Sequence, residues 1–470
     1  MHAHKVVPRS LPLALGLLAL FCALAALGCS RPRAERLDGG EGPVETGATR
    51  SAIPMPQVGV ERAASAPAAK SELHDDRVEP RTPTAAELAL AKTRAKASNA
   101  LGMDVYKLAA GSPGNVVLSP VSIGAALALA YSGARGDTAK QLGALLRAPR
   151  DRGELGRELK ALIDAEQCRA EAGGAAKPED RVTLRIASGL WVQEGRSLLP
   201  EFVARSEQDF QAMVAPTDFA ADPQQAASLI NDWLSKRTAG QIPEALGPSA
   251  IDPETVTILA NAVYFRAGWR GKFDTGRTKD GEFHLLDGTT IALPMMHDEH
   301  PTPYFKGHGF ELVELPYVLP DFAMIIVLPE QGGMVAIEPK LGEILASSQS
   351  KLASTLAAIS MPRVTANWRA SLIALLSKLG IKDAFQPGVA DFTGMTAKQD
   401  LYLQEVTHAT LIKVNEWGTE AAAVSVGSGA GYGRPHFVPI TIDRPFFFAI
   451  VDKLTSAELF VGRIVDPRGP

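Results

Sequence analysis

Apolar residues recur at helical spacing in four segments of the chain, and five further runs are rich in β-branched and aromatic residues. We predict helices over residues 86–109, 119–134, 222–238 and 369–380. We predict strands over residues 181–193, 255–265, 310–318, 322–329 and 401–414. Helices and strands do not alternate regularly along the chain, so the pattern predicts an α+β fold with more than one sheet.

The N-terminal part of the chain lacks this periodicity and is typical of an export signal. A short basic segment precedes the apolar run Leu11–Gly28, which ends directly before Cys29. We interpret residues 1–28 as a signal peptide with a lipobox, after which Cys29 is acylated and anchors the protein to a bacterial membrane, facing the periplasm or the cell surface. Because Ala26 and Leu27 depart from the usual lipobox, cleavage without acylation and release from the cell stay open.

Residues 29–84 are rich in proline, glycine, alanine and mixed charge, which predicts a disordered tether ahead of a domain over residues 85–470. Cys22 lies in the signal and Cys29 is the predicted anchor, so Cys168 is the single cysteine of the domain. A disulfide-stapled fold is therefore excluded. A catalytic role for Cys168 has no support, because no neighbouring base can be inferred for it.

Composition and charge are those of a globular protein that does not bind nucleic acid. The 470 residues are 46% hydrophobic and 21% charged, with a formal net charge of -4 and a pI near 6.2. Arginines between residues 147 and 169 are interleaved with carboxylates, which predicts a solvated helix face rather than a polyanion site. These carboxylates are Asp151, Glu154, Glu158, Asp164 and Glu166.

Three motifs resemble parts of enzyme or cofactor sites, but each lacks the companions that such a site needs. Ser348 and Lys351 have the Ser-x-x-Lys spacing of penicillin-binding enzymes without a convincing Lys-Thr-Gly partner. His297 and His300 could hold a metal, yet the flanking prolines predict a solvated loop. The glycine-rich run 427–433 lacks the following helix that a phosphate loop requires. We therefore predict no enzymatic activity, no metal and no cofactor.

Residues 419–426 alternate so that a strand made from them would carry only small side chains on one face. Thr419, Ala421, Ala423 and Ser425 share that face, and Glu420, Ala422, Val424 and Val426 share the other. The first face could slide between two packed strands without bringing in a bulky or charged side chain. The pattern therefore favours a segment that inserts into a sheet.

Five motifs, which stand in family order along the chain, carry a resemblance to a known family. They are NVVLSPVSIGAALALAYSGARGDTAKQL (115–142), ANAVYFRAGW (260–269), ADFTGMT (390–396), NEWGTEAAAV (415–424) and TIDRPFFFAI (441–450). The chain resembles a serpin over residues 85–468. The resemblance implies a serpin fold, with three β-sheets, eight or nine helices and an exposed reactive loop.

The resemblance also implies a mechanism, in which a serine-type endopeptidase attacks the reactive loop and forms an acyl-enzyme. The freed hinge then inserts as a new strand in the large sheet, driven by strain stored in the intact fold, and the protease is distorted before hydrolysis is complete. We expect Thr419 to lie at the exposed base of the loop before cleavage. The hinge is matched by Glu416, Gly418, Thr419, Glu420, Ala421, Ala422, Ala423 and Val424.

The two ends of the loop place the reactive bond differently. Counting at the family's usual spacing forward from Gly418 reaches Tyr432-Gly433, whereas counting backward from Pro445 reaches Arg434-Pro435. A proline after the scissile bond resists most serine proteases. We therefore favour Tyr432-Gly433 and a chymotrypsin-like or subtilisin-like target, with a trypsin-like target as the alternative.

Five further positions match elements that the family uses when the large sheet opens. Ser119, Ser122, Asn261 and His408 match the shutter, and Trp269 matches the breach. The resemblance implies that Asn261 and His408 are hydrogen-bonded across the gap until it opens. Each residue also has an ordinary structural explanation, as a helix cap or as part of the core.

The resemblance leaves other functions open. A non-inhibitory serpin that acts as a carrier, chaperone or binding module usually has bulky residues, charges or proline in its hinge, so the small-residue hinge here favours inhibition. An inhibitor of cysteine proteases and an exported hydrolase are further alternatives. We expect a monomer without a nucleic-acid partner, which meets the membrane only through its lipid anchor.

Overall fold

The computed structural model describes residues 81–172, 182–419 and 436–469. The predictions for the signal peptide, for Cys29 and for the tether as far as residue 80 lie outside these ranges. The first helix begins at Ala85, after Thr84, whose hydroxyl accepts a hydrogen bond from the backbone N–H of Glu87. The Glu87 carboxylate accepts in return from the N–H of Thr84, which completes a capping box.

Nine α-helices lie in the described ranges, and several begin where the sequence supplies a cap and a proline. The Ser119 side chain caps one helix and Asp222 caps another, each directly before a proline at the first helical position. The helices are α1 (Ala85–Ala109), α2 (Pro120–Gly133), α3 (Gly136–Leu145), α4 (Arg152–Ala172), α5 (Pro200–Phe210), α6 (Pro223–Arg237), α7 (Met334–Ile337), α8 (Leu341–Lys351) and α9 (Ile373–Lys378).

Fifteen strands of the described residues form two hydrogen-bonded sheets. They are β1 (Val116–Leu118), β2 (Thr183–Gln193), β3 (Met213–Thr217), β4 (Thr257–Gly268), β5 (Lys279–His284), β6 (Thr290–Lys306), β7 (Phe310–Pro316), β8 (Phe322–Pro329), β9 (Ala353–Pro362), β10 (Val364–Ser371), β11 (Glu405–Asn415), β12 (Gly418–Thr419), β13 (Val438–Thr441), β14 (Phe446–Asp452) and β15 (Ala457–Ile464). The six-stranded sheet has the order β10-β11-β12-β4-β2-β3. The predicted α+β class is confirmed.

The nine-stranded sheet combines two of the three sheets that the resemblance implies. Its order is β1-β15-β14-β8-β7-β6-β9-β13, and β5 also pairs with β6. The long strand β6 makes the connection, because it pairs with β5 near its start, with β9 through its middle and with β7 at its end. The hydrogen-bond ladder is therefore continuous where separate sheets were expected.

The six-stranded sheet is covered on both faces. Val263 and Phe265 of β4 and Ile412 of β11 pack in one apolar cluster with strands of the nine-stranded sheet. Ala260 and Ala262 of β4 pack instead with apolar residues of α6. Alternate residues of one strand thus face opposite layers, as the two-residue period of a strand requires. We call the face towards the nine-stranded sheet the inner face.

Two of the predicted elements have different bounds in the structure. The segment 369–380 was predicted as one helix, but residues 369–371 belong to β10 and the helix covers only Ile373–Lys378. Every residue of β10 pairs with β11, and this ladder outweighs the helical spacing of the sequence. The strand predicted over residues 401–414 begins only at Glu405, where it meets β4.

The solvated loop predicted around His297 and His300 is wrong, because both residues lie within β6. The flanking prolines fit the strand, since Pro294 pairs only with β5 and Pro301 pairs only with β9. With a neighbour on one side only, a missing N–H can point to the open side of the strand. His297 hydrogen-bonds the hydroxyl of Ser360 on β9, with 2.6 Å between Nδ1 and Oγ.

The solvated face predicted for residues 147–169 is wrong for three of its five carboxylates. Glu158, Asp164 and Glu166 are buried, because α4 packs along α1 and against α5 and β2. Charge patterning showed that this segment is a helix with mixed charges but did not show how much of its surface is covered.

Candidate functional site

The six-stranded sheet is split at one end by the short strand β12. β4 and β11 pair directly and in parallel from Ile258 and Glu405 up to Val263 and Thr410. Further along, β12 lies between them, with Thr419 opposite Val414 on one side and opposite Ala267 on the other. The two central strands are therefore joined in one half and separated by the hinge in the other half.

The sequence predicted that Thr419 lies at the exposed base of a loop. In the structure it already lies inside the sheet. Its relative exposure is 0%, and its hydroxyl hydrogen-bonds the hydroxyl of Tyr317 at an O–O distance of 2.7 Å. The side chain lies on the inner face that the alternation of the sequence assigned to it. The alternation predicted the direction of the side chain but not how far the hinge has entered before cleavage.

Gly418 is required by the close approach of β12 to β4. Its φ angle is +152°, and a Cβ atom there would lie 2.1 Å from the carbonyl oxygen of Ala267 and 2.7 Å from the Cα of Gly268. Both contacts are with backbone that is fixed in the ladder. Any side chain at position 418 would push the hinge away from β4.

Trp269 and Tyr317 form a stacked aromatic pair beneath the hinge. Their ring centroids are 4.6 Å apart with an angle of 7° between the planes. The Trp269 indole N–H donates to the carbonyl oxygen of Asn415 at 2.9 Å, and its backbone N–H donates to the carbonyl oxygen of Trp417 at 2.8 Å. Trp269, the predicted breach residue, thus holds the turn between β11 and β12.

Glu416 anchors the same turn through its buried carboxylate. Its Oε1 accepts from the Thr278 hydroxyl at 2.6 Å and from Nη2 of Arg363 at 2.6 Å. Burial alone would raise the pKa of Glu416, but the hydrogen bonds from Arg363 and Thr278 outweigh it and hold the pKa below its usual range. The carboxylate is therefore ionised at neutral pH. Its bonds to Arg363 and Thr278 hold Glu416, which precedes the hinge strand β12, in place.

The four predicted shutter residues meet in one hydrogen-bond network where β4 and β11 are still paired. His408 lies directly opposite Asn261 in the ladder, with 2.8 Å between Nδ1 and Oδ1. The Ser122 hydroxyl donates to the same Asn261 oxygen. The Ser119 backbone N–H donates to His408 Nε2 at 3.1 Å, while its side chain caps α2. The network therefore links the start of α2 to both central strands.

This network fixes the proton on His408 at Nδ1. Nδ1 must donate to an amide oxygen, and Nε2 must accept from a backbone N–H, so the neutral tautomer satisfies both partners. Complete burial lowers the pKa of His408 to about 3. The ring is accordingly neutral over the physiological range, and the pair does not respond to ordinary changes of pH.

The structure adds residues that sequence reasoning missed. The Asn261 amide nitrogen donates to the hydroxyl of Ser188 on β2 at 2.9 Å, which extends the network to a third strand. Tyr317, Arg363 and Thr278 hold the hinge but lie far from it in sequence. Their contacts arise only when the sheets pack, so no local signal in the sequence could have identified them.

Comparison with known proteins assigns the family. The family model described as "Serpin (serine protease inhibitor)" matches residues 96–467. The chain belongs to the serpin family. A serpin-like protein of Thermococcus kodakarensis is 33% identical over 380 residues, which cover 79% of this chain and 85% of the relative. The leukocyte elastase inhibitor of Bos taurus is 33% identical over 369 residues, which cover 75% and 93%.

Solved structures show the same fold. Human thyroxine-binding globulin complexed with thyroxine has a TM-score of 0.71 and 26% identity, and the match covers 80% of this serpin and 99% of that chain. Native protease nexin-1 with heparin has a TM-score of 0.70 and 27% identity, with coverage of 81% and 100%. The serpin fold that the motifs implied is confirmed.

The remaining candidate residues of this serpin have separate outcomes. Glu420, Ala421, Ala422, Ala423, Val424, Tyr432, Gly433, Arg434 and Pro435 lie outside the described residues. Ser348 is buried in α8 and its hydroxyl donates to the carbonyl oxygen of Leu345, while the Lys351 ammonium donates to Ser347. The described part of the chain contains no group of acidic, His and Cys side chains that could hold a metal. Within it, we also find no helix that is long and apolar enough to span a membrane.

Proposed function

We propose that this serpin inhibits serine-type endopeptidases by acting as a suicide substrate that traps them. The observation that carries the proposal is the position of Gly418 and Thr419, which already pair with both central strands on the path that an inserting loop would follow. For inhibition by insertion, the inward-facing side chains of the hinge must be able to enter the sheet without a steric clash or an unpaired charge. Thr419 meets that requirement in the intact protein, because it is buried and hydrogen-bonded.

The register of β12 indicates where the rest of the hinge would go. Each residue further along an inserting strand would move one residue back along both β4 and β11. Ser425, six residues after Thr419, would then lie level with Asn261 and His408, which are six residues before Ala267 and Val414. Insertion would therefore part the Asn261–His408 pair and place a small hydroxyl side chain between the two.

The inner face explains why the hinge has small side chains. Level with Ala421 and Ala423, the inner-face positions of β4 and β11 include Phe265, Val263 and Ile412, which pack against the nine-stranded sheet. Ala421 and Ala423 would enter this packed layer, where a larger side chain would force neighbours off their rotamers. The match between a small-residue face and a filled core layer supports insertion as the use of this segment.

The proposal is tested by mixing the purified protein with chymotrypsin, subtilisin, trypsin and a papain-like protease, followed by denaturing gel electrophoresis. An inhibitor that traps its target leaves a complex that resists SDS, together with a released C-terminal fragment. We expect complexes with chymotrypsin or subtilisin. Cleavage of the loop with fully active protease in every mixture would refute inhibition, and a complex only with the papain-like protease would reassign the target to cysteine proteases.

For the reactive bond we propose Tyr432-Gly433, where a large aromatic residue precedes an unhindered amide. Mass spectrometry of the released fragment should then show a new N-terminus at Gly433. A new terminus at Pro435 would move the reactive residue to Arg434 and the target to trypsin-like enzymes.

A binding or carrier role is the second candidate function, and a cavity supports it. A space of about 750 Å³ lies between α1, α8 and strands β14 and β15, with Met103, Leu345 and Val451 among its apolar lining residues. The similar thyroxine-binding globulin is a serpin that was solved in complex with thyroxine. Binding of thyroxine in isothermal titration, together with failure to trap any protease, would favour this role over inhibition.

We further propose that Cys29 carries the lipid that tethers this serpin to the membrane. Cys29→Ala should move the protein from the membrane fraction to the soluble fraction while its inhibitory activity stays unchanged, since the family match begins only at residue 96. A mutant that is still fully membrane-bound would contradict an anchor at this cysteine. Gel filtration of the mutant checks the expected monomer.

A further inference from the structure

The carboxyl group of Glu166 in α4 is fully buried and lacks a hydrogen-bond partner. Its relative exposure is 0%, and both side-chain oxygens are without a partner in the structure. Buried polar groups are nearly always hydrogen-bonded, and an unpaired buried carboxylate costs far more free energy than a neutral carboxylic acid. The packing around Glu166 therefore favours its protonated form.

Arg169 lies close to Glu166, but each of its three nitrogens already donates a hydrogen bond to another group. Its Nη1 donates to Oδ1 of Asp452 at 2.9 Å, and its Nη2 donates to Oδ2 of the same residue. Its Nε donates to the carbonyl oxygen of Ala165 at 2.8 Å, and Oδ2 of Asp321 lies 3.7 Å from Nη1. The Arg169 guanidinium is thus already paired with two aspartates, and an ionised Glu166 would be a third carboxylate beside it.

The Asp452 side chain accepts hydrogen bonds from other donors besides Arg169. Its Oδ1 accepts from the backbone N–H of Leu454 at 3.0 Å, and its Oδ2 accepts from the backbone N–H and the hydroxyl of Thr455. Burial raises the pKa of Glu166 well above its usual range, the charge of Asp452 raises it further, and Arg169 opposes both. Ionisation of Glu166 would create a second buried negative charge beside Asp452.

This cluster joins α4, which packs on the six-stranded sheet, to a strand of the nine-stranded sheet. α4 packs against β2, which pairs with β4. Opening the gap requires β4, β2 and β3 to move away from β11 and β10, as the strand order shows. The Arg169–Asp452 pair connects α4 to β14, a strand of the other sheet. The contact thus ties the moving half of the six-stranded sheet to a second layer.

We propose that Glu166 acts as a proton-operated latch on α4, which keeps the helix docked on β14 while the carboxyl is neutral and loosens it when the carboxyl loses its proton. The loosening follows because a second carboxylate competes with Asp452 for Arg169. When α4 is docked less firmly, β2 and β4 can move together away from β11 more easily. The consequence for protease trapping rests on the proposed function, whereas the loosening of α4 does not.

The latch is tested on the intact protein by hydrogen exchange with mass spectrometry between pH 5 and pH 9, with each rate divided by the intrinsic rate at that pH. In the wild type, the protection of peptides from α4 should fall as pH rises, by up to about tenfold per pH unit until Glu166 is fully ionised. Glu166→Gln has no carboxyl at this position that can ionise. The protection of α4 peptides in this variant should therefore change less steeply with pH. Glu154→Gln, in the first turn of the same helix, should keep the wild-type slope.

Other buried acids do not disturb this comparison. Burial raises the pKa of Glu458 to about 8, so Glu458 also titrates in this range. It is present in all variants, and the difference between wild type and Glu166→Gln isolates Glu166. Equal slopes in these two proteins, or a flat wild type, would overturn the latch. If Glu166→Gln does not fold, Glu166→Leu provides the same comparison without a polar group.

A second readout separates the latch from the proposed function. The ratio of trapped complex to cleaved serpin should rise with pH in the wild type relative to Glu166→Gln, measured with the same protease at the same pH. A pH-sensitive α4 with an equal ratio in both proteins would overturn the link to sheet opening. If no variant forms a complex while the exchange difference persists, inhibition fails and the latch stands.

Discussion

Replacing Ser425 by arginine should convert this serpin from a trap into an ordinary substrate. If insertion continues in the register of β12, residue 425 enters on the inner face between Asn261 and His408. Their relative exposures are 2% and 0%. Neither residue can neutralise a cation, because Asn261 is uncharged and the buried His408 ring is neutral. The guanidinium would therefore be buried without a countercharge at the level of the shutter.

The size of the effect follows from burying an unpaired charge. Such a charge costs about 3–5 kcal/mol in a folded protein. At about 1.4 kcal/mol for each factor of ten, insertion would slow by roughly 10²- to 10⁴-fold if most of this cost is already present in the transition state. Deacylation of the protease would then be faster than insertion. The loop should be cut at the same bond, with active protease released and no SDS-stable complex formed.

Glu420→Arg is the matched control, because residue 420 would face the opposite side of the inserted strand, level with the half-buried Arg266 and Lys413 rather than with the alanines that are buried under α6. It introduces the same side chain on a part of the outer face that solvent still reaches and should keep most of the inhibition. Titration of chymotrypsin with each variant gives the stoichiometry of inhibition, and thermal unfolding of the uncleaved proteins checks that both fold. If both variants trap protease like the wild type, or both fail alike, the alternating-face argument is wrong. Thr419→Arg is a less informative test, since Thr419 is already buried in the intact protein and its replacement would disturb the starting fold.

Three further predictions concern the intact fold. Asn261→Ala should lower the free energy of unfolding by about 2–4 kcal/mol, because the groups that it bonds lose their partner in a buried site, and a urea titration with no change would contradict the network. A double-mutant cycle of Tyr317→Phe and Thr419→Val should give a coupling energy of about 1 kcal/mol in the same titration, and strict additivity would mean that their hydrogen bond contributes nothing. The stability that Glu416 contributes should be present at neutral pH and lost as pH falls through its lowered folded-state pKa, whereas Glu416→Gln should remove that part of the acid dependence measured by thermal unfolding.

The sequence by itself determined the elements whose signals are local. The helical spacing of residues 86–109 and 119–134 and the β-rich runs of β4 and β8 predict structures that the chain adopts. The strict alternation after Gly418 also predicted that Thr419 faces inward. These features depend on backbone geometry and on neighbouring residues, so they can be read before any tertiary contact exists.

The four shutter residues and Trp269 could be assigned only through whole motifs, because a single serine, asparagine or histidine in a strand has many ordinary explanations. The structure then joined Asn261 and His408 across the ladder, as the resemblance implied. Their contact links residues 147 positions apart. Spacing along the chain carries no information about such a pair until the strand order is known.

Tertiary structure alone decided how far the hinge enters the sheet and which charges are buried. Thr419 is inside the sheet because Tyr317, more than a hundred positions earlier, offers a hydroxyl there. Segment 369–371 became a strand because β11 offered a ladder, and Glu166 lost its solvent because α1 and β2 cover α4. In each case the deciding partner is distant in sequence. Burial and pairing depend on the sum of such distant contacts, whereas the local pattern fixes only which faces are available for them.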